Sequence, residues 1–145
     1  MTIIVDTAPI VAMGDRRDPN RGHVRQFLLN STEDLVVPAP VSAEIDYLLG
    51  TRGGSDARER FLMDLAAGTY TVACLEPREY AQLVDLNRQY AALDLGLSDL
   101  SVVALAARFD TLRILTFDYR HFRAVRPLQG GSFVLLPADE NPESA

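Results

Sequence analysis

The chain divides into short apolar runs and longer stretches in which apolar residues return every three or four positions. The short runs predict β-strands at 2–5, 35–37, 113–117 and 132–136, with a further strand or extended link at 70–75. The first run, Thr-Ile-Ile-Val, contains no charged residue. That pattern is typical of a strand buried on both faces of a parallel sheet.

The longer stretches predict helices that begin near Ala8, His23, Pro40, Ser55, Pro77 and Leu97. The helix at Pro40 is expected to end at Gly50. In the helix at Pro77, the apolar spacing predicts a buried stripe that includes Tyr80, Leu83 and Val84. Strands that alternate with helices indicate an α/β fold, a three-layer α/β/α domain with a mostly parallel central sheet.

A chain of 145 residues supports a single domain, which we place at 1–137. Residues 138–145 are polar and acidic and are predicted to form a disordered C-terminal tail. The lone Cys74 excludes an internal disulfide and is interpreted as a core residue because its neighbours are apolar. No apolar run approaches the roughly 18 residues of a membrane span, so we expect a cytoplasmic protein without membrane contact.

All 14 basic residues are arginines, and 20 acidic residues bring the net charge to −6. The resulting pI near 4.8 argues against a nucleic-acid binder that depends on bulk charge. The absence of lysine argues against a receiver-type domain, which needs a lysine beside its aspartates. A dehalogenase-like phosphatase would need a second aspartate just after Asp6, where the chain has Thr7 and Ala8.

Two aspartates stand directly after predicted strands. Asp6 follows the first run and Asp118 follows 113–117, and each has a threonine nearby, Thr7 and Thr116 respectively. The carboxyl ends of parallel strands meet at one edge of the sheet, where α/β proteins bind their ligands. We therefore expect Asp6 and Asp118 to lie close together. The alternative is that each only caps a helix or forms a turn.

Two further acids lie in the first turns of predicted helices. Glu44 is at the edge of the apolar face of its helix, whereas Asp46 leaves the helix on a different side. Asp99 stands among leucines and valines, where an ionised carboxylate is costly unless a cation neutralises it. Both acids are also compatible with simple pairing to a helix dipole.

If Asp6, Glu44, Asp99 and Asp118 converge, like charges in a small cavity cannot all stay ionised without a cation. All-oxygen ligands favour Mg²⁺, with Mn²⁺ as the other candidate. Mg²⁺ retains water molecules, which suits hydrolysis of a phosphodiester. The two histidines, at 23 and 121, have no ligand-type spacing, so we expect neither to bind the metal.

Four segments in order carry a resemblance to a known family: IIVDTAPIVA, PVSAEIDYLL, DLGLSDLSVVALAARF and RILTFDYRHF. Together they resemble a PIN-domain protein of the VapC toxin type, over nearly the whole chain to about Pro137. The closing pattern T-x-D-x-R-H-F adds most to the likeness. The resemblance implies a metal-dependent endoribonuclease, the toxin of a type II toxin–antitoxin pair, inhibited by a small VapB-type antitoxin and commonly a homodimer.

The family's four acidic residues correspond here to Asp6, Glu44, Asp99 and Asp118. The resemblance implies that Asp6 and Asp99 bind Mg²⁺ directly. Glu44 would hold or orient a water on the metal, and Asp118 would complete the site or a second metal position. Thr7 and Thr116 would support the site. The alternative is a noncatalytic PIN-like module that binds RNA or protein.

Arginines cluster after two of these acids. Arg16, Arg17, Arg21 and Arg25 follow Asp6, whereas Arg120, Arg123 and Arg126 follow Asp118. Guanidinium groups suit phosphate geometry, so we interpret these clusters, and Arg16, Arg17, Arg120 and Arg123 in particular, as RNA-binding candidates. The alternative is that they are ordinary solvated loops. Without the four proposed ligands, 20 − 4 = 16 acids face 14 arginines, so net acidity does not exclude RNA.

Overall fold

The sheet of the computed structural model, which describes residues 1–140, has five strands in the order β3-β2-β1-β4-β5. Every neighbouring pair is parallel, which confirms the predicted α/β class and makes the sheet fully parallel. The strands are β1 (Thr2–Val5), β2 (Asp34–Pro38), β3 (Thr71–Ala73), β4 (Arg113–Leu115) and β5 (Val134–Leu136). Because β1 pairs with both β2 and β4, the residue after β1 lies at the middle of the carboxyl edge.

Helices connect the strands and flank the sheet. They are α1 (Thr7–Gly14), α2 (Arg21–Asn30), α3 (Ala39–Arg52), α4 (Ser55–Ala66), α5 (Pro77–Gln89), α6 (Leu97–Arg108) and α7 (Tyr119–Ala124). A short 3₁₀ turn, Ala91–Leu93, lies between α5 and α6. None of the helices within residues 1–140 combines the length and apolar character needed to cross a membrane.

One part of the core lies between α6 and the central strands, and buried residues of the other helices extend it. Seven consecutive residues of α6, from Leu100 to Ala106, are buried, so this helix is covered on all sides. Ile4 of β1 and Ile114 of β4 are fully buried neighbours in the sheet. Burial of one such side chain stabilises the fold by about 1.5–3 kcal/mol. Because α6 is packed on all sides, its N-terminal residues, including Asp99, are held at the carboxyl edge of the sheet.

Three local predictions were wrong. Helix α3 continues through Gly50 to Arg52. On α5, Glu79, Leu83 and Leu86 face inward, whereas Tyr80 and Val84 are 45% and 49% exposed. The face is rotated because the Glu79 carboxylate pairs with the Arg108 guanidinium of α6. Cys74 is exposed rather than part of the core.

Residues 138–140, which the sequence assigns to a disordered tail, form a turn after β5. The Asp139 carboxylate accepts hydrogen bonds from the Arg123 guanidinium (Nη1 to Oδ2, 2.7 Å) and from the backbone N–H of Leu135 (2.7 Å). These two contacts return the chain onto its last strand. The remainder of the predicted tail, 141–145, lies outside the described residues.

Candidate active site

Asp6 lies where β1 ends and α1 begins, and only 5% of its surface is exposed. The Thr116 hydroxyl, fully buried at the end of β4, donates a hydrogen bond of 2.7 Å to Asp6 Oδ2. The same hydroxyl accepts the backbone N–H of Asp118 at 2.9 Å. Thr116 therefore joins the two strand-end aspartates, because β1 and β4 are adjacent and parallel.

Burial raises the pKa of Asp6 from 3.8 to about 6. Loss of solvent is the largest cause, and the negative charges of Asp99 and Asp118 raise it further. The Thr116 hydrogen bond opposes the shift. Asp6 is thus a desolvated carboxylate that lies close enough to two other carboxylates to be destabilised by them.

Asp99 occupies the first turn of α6 with 22% of its side chain exposed. Burial raises its pKa above the ordinary value, and the charges of Asp118 and, more weakly, Glu44 act in the same direction. The charge of His121 opposes the shift. All four predicted acids therefore influence one electrostatic environment, as expected if they surround a single cavity.

Asp118 caps α7, and both of its carboxylate oxygens contact His121. Oδ1 accepts the His121 backbone N–H at 3.1 Å, and Oδ2 lies 2.7 Å from the ring Nδ1. The same ring nitrogen is 3.8 Å from Asp99 Oδ2. Asp99, Asp118 and His121 offer ligand atoms that all lie within 4.8 Å of one another, which is compatible with a shared metal ion.

That neither histidine binds the metal stays a prediction, but the structure brings His121 Nδ1 to within 2.7 Å of Asp118 and 3.8 Å of Asp99. His121 therefore belongs to the candidate site. It was missed because α7 was not predicted: of its six residues, YRHFRA, only Phe122 is buried, so the segment lacks an apolar period. The available signal was the spacing Asp118-x-x-His121. Three residues apart, an aspartate cap and a histidine face each other once the segment is helical.

Glu44 is the most exposed of the four acids and reaches the site through Thr7. The Thr7 hydroxyl, in the first turn of α1, donates to Glu44 Oε2 at 3.2 Å. Asp46, the competing acid on α3, points elsewhere and accepts two hydrogen bonds from Arg58, at 3.2 and 2.9 Å. The structure thus separates the two acids as their helical positions predict.

The arginine candidates lie in different settings. Arg16 and Arg120 are exposed. Arg17 is 86% exposed and has only a 3.7 Å contact with Asp15. Arg123, in contrast, is occupied by the Asp139 carboxylate.

Comparison with known proteins decides the family, because the PIN domain model matches residues 3–127. The chain belongs to the PIN-domain family. This PIN domain is 38% identical to Ribonuclease VapC26 of Mycobacterium tuberculosis (strain ATCC 25618 / H37Rv) over 135 residues. The alignment covers 93% of this chain and 100% of the relative. The fold of this chain also matches the crystal structure of M. tuberculosis VapC20, a toxin that cleaves the sarcin-ricin loop. That match has a TM-score of 0.74 and 17% identity, and covers 81% of this chain and 90% of the other.

The donor set of the PIN-domain site fits a hard divalent cation. Carboxylate oxygens dominate it, and such ligands suit Mg²⁺ and Mn²⁺. Within residues 1–140, no arginine forms an ion pair with Asp6, Asp99 or Asp118. Hydrogen bonds, including that from Thr116 to Asp6, and the charge of His121 beside Asp99 offset only part of the burial and repulsion, because the pKa values of both acids stay raised. A bound cation would therefore stabilise the cluster.

Proposed function

We propose that this PIN domain is an Mg²⁺-dependent endoribonuclease and the toxin component of a type II toxin–antitoxin system. The observation that carries the proposal is the acidic cluster at the carboxyl edge of the sheet, where Asp6 is buried and the ligand atoms of Asp99, Asp118 and His121 lie within 4.8 Å of one another. Membership of the PIN-domain family and 38% identity to a named ribonuclease over the full length of that relative support it.

In the proposed site, Asp6 and Asp99 hold Mg²⁺ directly, with Mn²⁺ as a possible substitute. Asp118 completes the site or a second cation position, and Glu44, anchored by the Thr7 hydroxyl, orients a water. Thr116 fixes Asp6 through its hydrogen bond. When bound, the cation would lower the pKa of a water and stabilise negative charge on the phosphate.

RNA is the proposed substrate, and phosphate contacts are assigned to Arg16, Arg17, Arg120 and Arg123. The first three have exposed guanidinium groups that are free to approach a phosphate. Arg123 would have to exchange the Asp139 carboxylate for a phosphate. A VapB-type antitoxin as inhibitor, a homodimer and a cytoplasmic location complete the proposal, by analogy with the VapC-type relatives.

The test is incubation of the purified protein with labelled structured RNAs in Mg²⁺ and in EDTA. We expect cleavage only with Mg²⁺, and at least a roughly 100-fold loss of rate for Asp99→Asn because a proposed cation ligand is removed. Asp94→Asn is the matched control: Asp94 is exposed, and asparagine tolerates its left-handed backbone, φ 51°. Cleavage that is equal in both variants would refute the assignment.

The alternative function, a noncatalytic module, predicts a different pattern. The protein would then bind RNA or a partner without cutting RNA in any divalent metal. Asp6→Ala would abolish Mg²⁺ binding and leave affinity for RNA unchanged. Isothermal titration with Mg²⁺, followed by an RNA-binding measurement on the same variant, separates the two functions.

A further inference from the structure

A second charged surface lies at the other end of α1 from Asp6. It is a cleft of about 390 Å³ between the end of α1, the loop that follows and the turn from α3 to α4. Five arginines line it, against two acids, Asp15 and Asp56: Arg16, Arg17, Arg21, Arg52 and Arg60. We call this surface the arginine cleft. Its charged side chains leave an excess of three positive charges.

The guanidinium groups of the cleft are available to an anion. Within residues 1–140, no carboxylate oxygen lies within 4.0 Å of the guanidinium nitrogens of Arg16, Arg52 or Arg60. A neighbour on α4 outside the cleft, Arg58, instead has both hydrogen bonds to Asp46. The cleft therefore keeps its positive charge, whereas the adjacent arginine is neutralised.

Backbone contacts hold the walls of the cleft together. A Cβ atom on Gly53 would lie 2.5 Å from the carbonyl oxygen of Gly14, so the end of α1 and the α3–α4 turn touch. The N–H groups of Gly53 and Gly54 both donate to the Leu49 carbonyl, at 2.8 and 3.0 Å. Arg21 Nε donates to the Met13 carbonyl at 3.0 Å, which orients that guanidinium.

The acidic site cannot supply affinity for a polyanion by itself, because its carboxylates repel phosphates. Helix α1 has eight residues and is about 12 Å long, so the arginine cleft begins one short helix away from Asp6. A single-stranded polyanion can span that distance. The paired N–H groups of a guanidinium match the geometry of phosphate oxygens. The exposed, charged walls of the cleft therefore suit a phosphate better than an apolar ligand.

We propose that the arginine cleft binds backbone phosphates of the RNA, about one short helix away from the bond that is cut. This inference rests on the proposed ribonuclease function. It adds Arg52 and Arg60 to the candidate RNA-binding arginines at 16, 17 and 21, from which they are distant in the amino-acid sequence. The cleft anchors the substrate, and the acidic cluster acts on it.

The test is fluorescence anisotropy with a 5′-fluorescein-labelled RNA hairpin in EDTA, where no metal-dependent cleavage occurs. The variant is Arg52→Gln/Arg60→Gln, and the matched control is Arg78→Gln/Arg88→Gln, which removes the same charge from exposed positions of α5. We expect roughly 10-fold weaker binding for the cleft variant only. The slope of log K against log salt should fall by about 0.7–0.9 for each lost contact, or roughly 1.4–1.8 in total.

Arg16→Gln/Arg17→Gln, in the loop before α2, repeats the test without altering a helix and should weaken RNA binding similarly. Equal affinities in the cleft and control variants, or a wild-type protein without RNA affinity, would overturn the inference. A cleft variant that keeps its RNA affinity but no longer binds an acidic protein would also overturn it, because the cleft would then be a protein-binding surface. A wild-type protein that binds RNA but never cuts it refutes the proposed function alone. Cleavage with an unaffected cleft variant refutes the cleft alone.

Discussion

Helix α1 has a cluster of negative charges at its start and a cluster of positive charges at its end. Apart from sign, the two clusters differ mainly in burial. At its start, Asp6 is 5% exposed and its pKa rises to about 6 beside other carboxylates. At its end, the arginines lie in water, with Arg17 86% exposed. Water screens the repulsion among the arginines, whereas the acids retain theirs because they are desolvated. The accumulated charge therefore lowers the stability of the folded protein at the acidic end and has little effect on it at the arginine end.

The difference indicates what each cluster requires. The acids lower the stability of the protein until a cation or protons neutralise them. The arginines can wait for a ligand without a comparable effect on folding. We therefore expect changes at the acidic end to alter stability, and changes at the arginine end to alter binding.

The largest expected effect is the pH dependence of stability caused by Asp6. Its pKa is about 6 in the folded protein against an ordinary 3.8, so the folded state binds the proton more tightly. Stability from this group is therefore highest at low pH and decreases as pH rises from about 4 to above 6. The total loss is roughly 2–3 kcal/mol. In Asp6→Asn the decrease should be smaller by this amount, and the part caused by the raised pKa of Asp99 should remain.

Urea unfolding in EDTA at pH 4.5, 6.0 and 7.5 measures the free energy of unfolding for both proteins. Asp85→Asn, at an exposed position of α5, is the control and should follow the wild type. Mg²⁺ at pH 7.5 should stabilise the wild type and have little effect on Asp6→Asn. Parallel pH profiles for wild type and Asp6→Asn would contradict the view that the acidic end is costly.

The next largest effect is expected where the end of α1 meets the α3–α4 turn, at the wall of the arginine cleft. In Gly53→Ala, the new Cβ would meet the Gly14 carbonyl oxygen at 2.5 Å and Ala57 Cβ at 2.7 Å. Because the nearest atom belongs to the backbone, the turn must move, at a cost of about 2 kcal/mol. Thermal unfolding should show a lower Tm, and RNA affinity should fall as the cleft changes shape.

Gly22→Ala is the control for this change. Gly22 lies on α2 with no heavy atom within 4 Å of a new Cβ, so alanine should be neutral or stabilise the helix by about 0.5–1 kcal/mol. A Gly53→Ala protein that unfolds and binds RNA like the wild type would mean that the backbone contact does not fix the arginine cleft.

The acidic end could be anticipated from the sequence, but the arginine end only in part. Asp6 and Asp118 follow apolar runs, and strand ends in a parallel sheet converge whatever the loops do. Asp99 stood out because its neighbours are apolar. Arg52 and Arg60 belong to different helices, and nothing in their spacing shows that the α3–α4 turn meets the end of α1. That proximity depends on two glycines in tertiary contact.

Errors at individual helix faces have a similar cause. The apolar pattern of α5 favoured Tyr80 and Val84, but an ion pair between Glu79 and Arg108 turns a carboxylate inward. Arg108 is 29 positions away from Glu79 in the sequence, so the local apolar spacing of α5 cannot reveal this ion pair. His121 was missed for a local reason, because α7 has one buried residue and no visible period.

The smallest expected effect distinguishes an arginine that is paired with a carboxylate from one that is not. The guanidinium of Arg123 is already paired with Asp139, with 50% and 26% of the two side chains exposed. Such a partly solvated pair contributes about 0–1 kcal/mol to stability, because water competes for both charges. Arg123→Gln should therefore lower the free energy of unfolding by less than about 1 kcal/mol.

RNA affinity should decrease less in Arg123→Gln than in Arg120→Gln, because a phosphate must first displace the Asp139 carboxylate. Both substitutions remove one charge from α7, so each controls for the change in net charge of the other. Anisotropy with the labelled hairpin measures the two affinities. If Arg123→Gln is the weaker binder, pairing to a carboxylate does not withdraw an arginine from RNA, and the availability of unpaired guanidinium groups in the arginine cleft loses its significance.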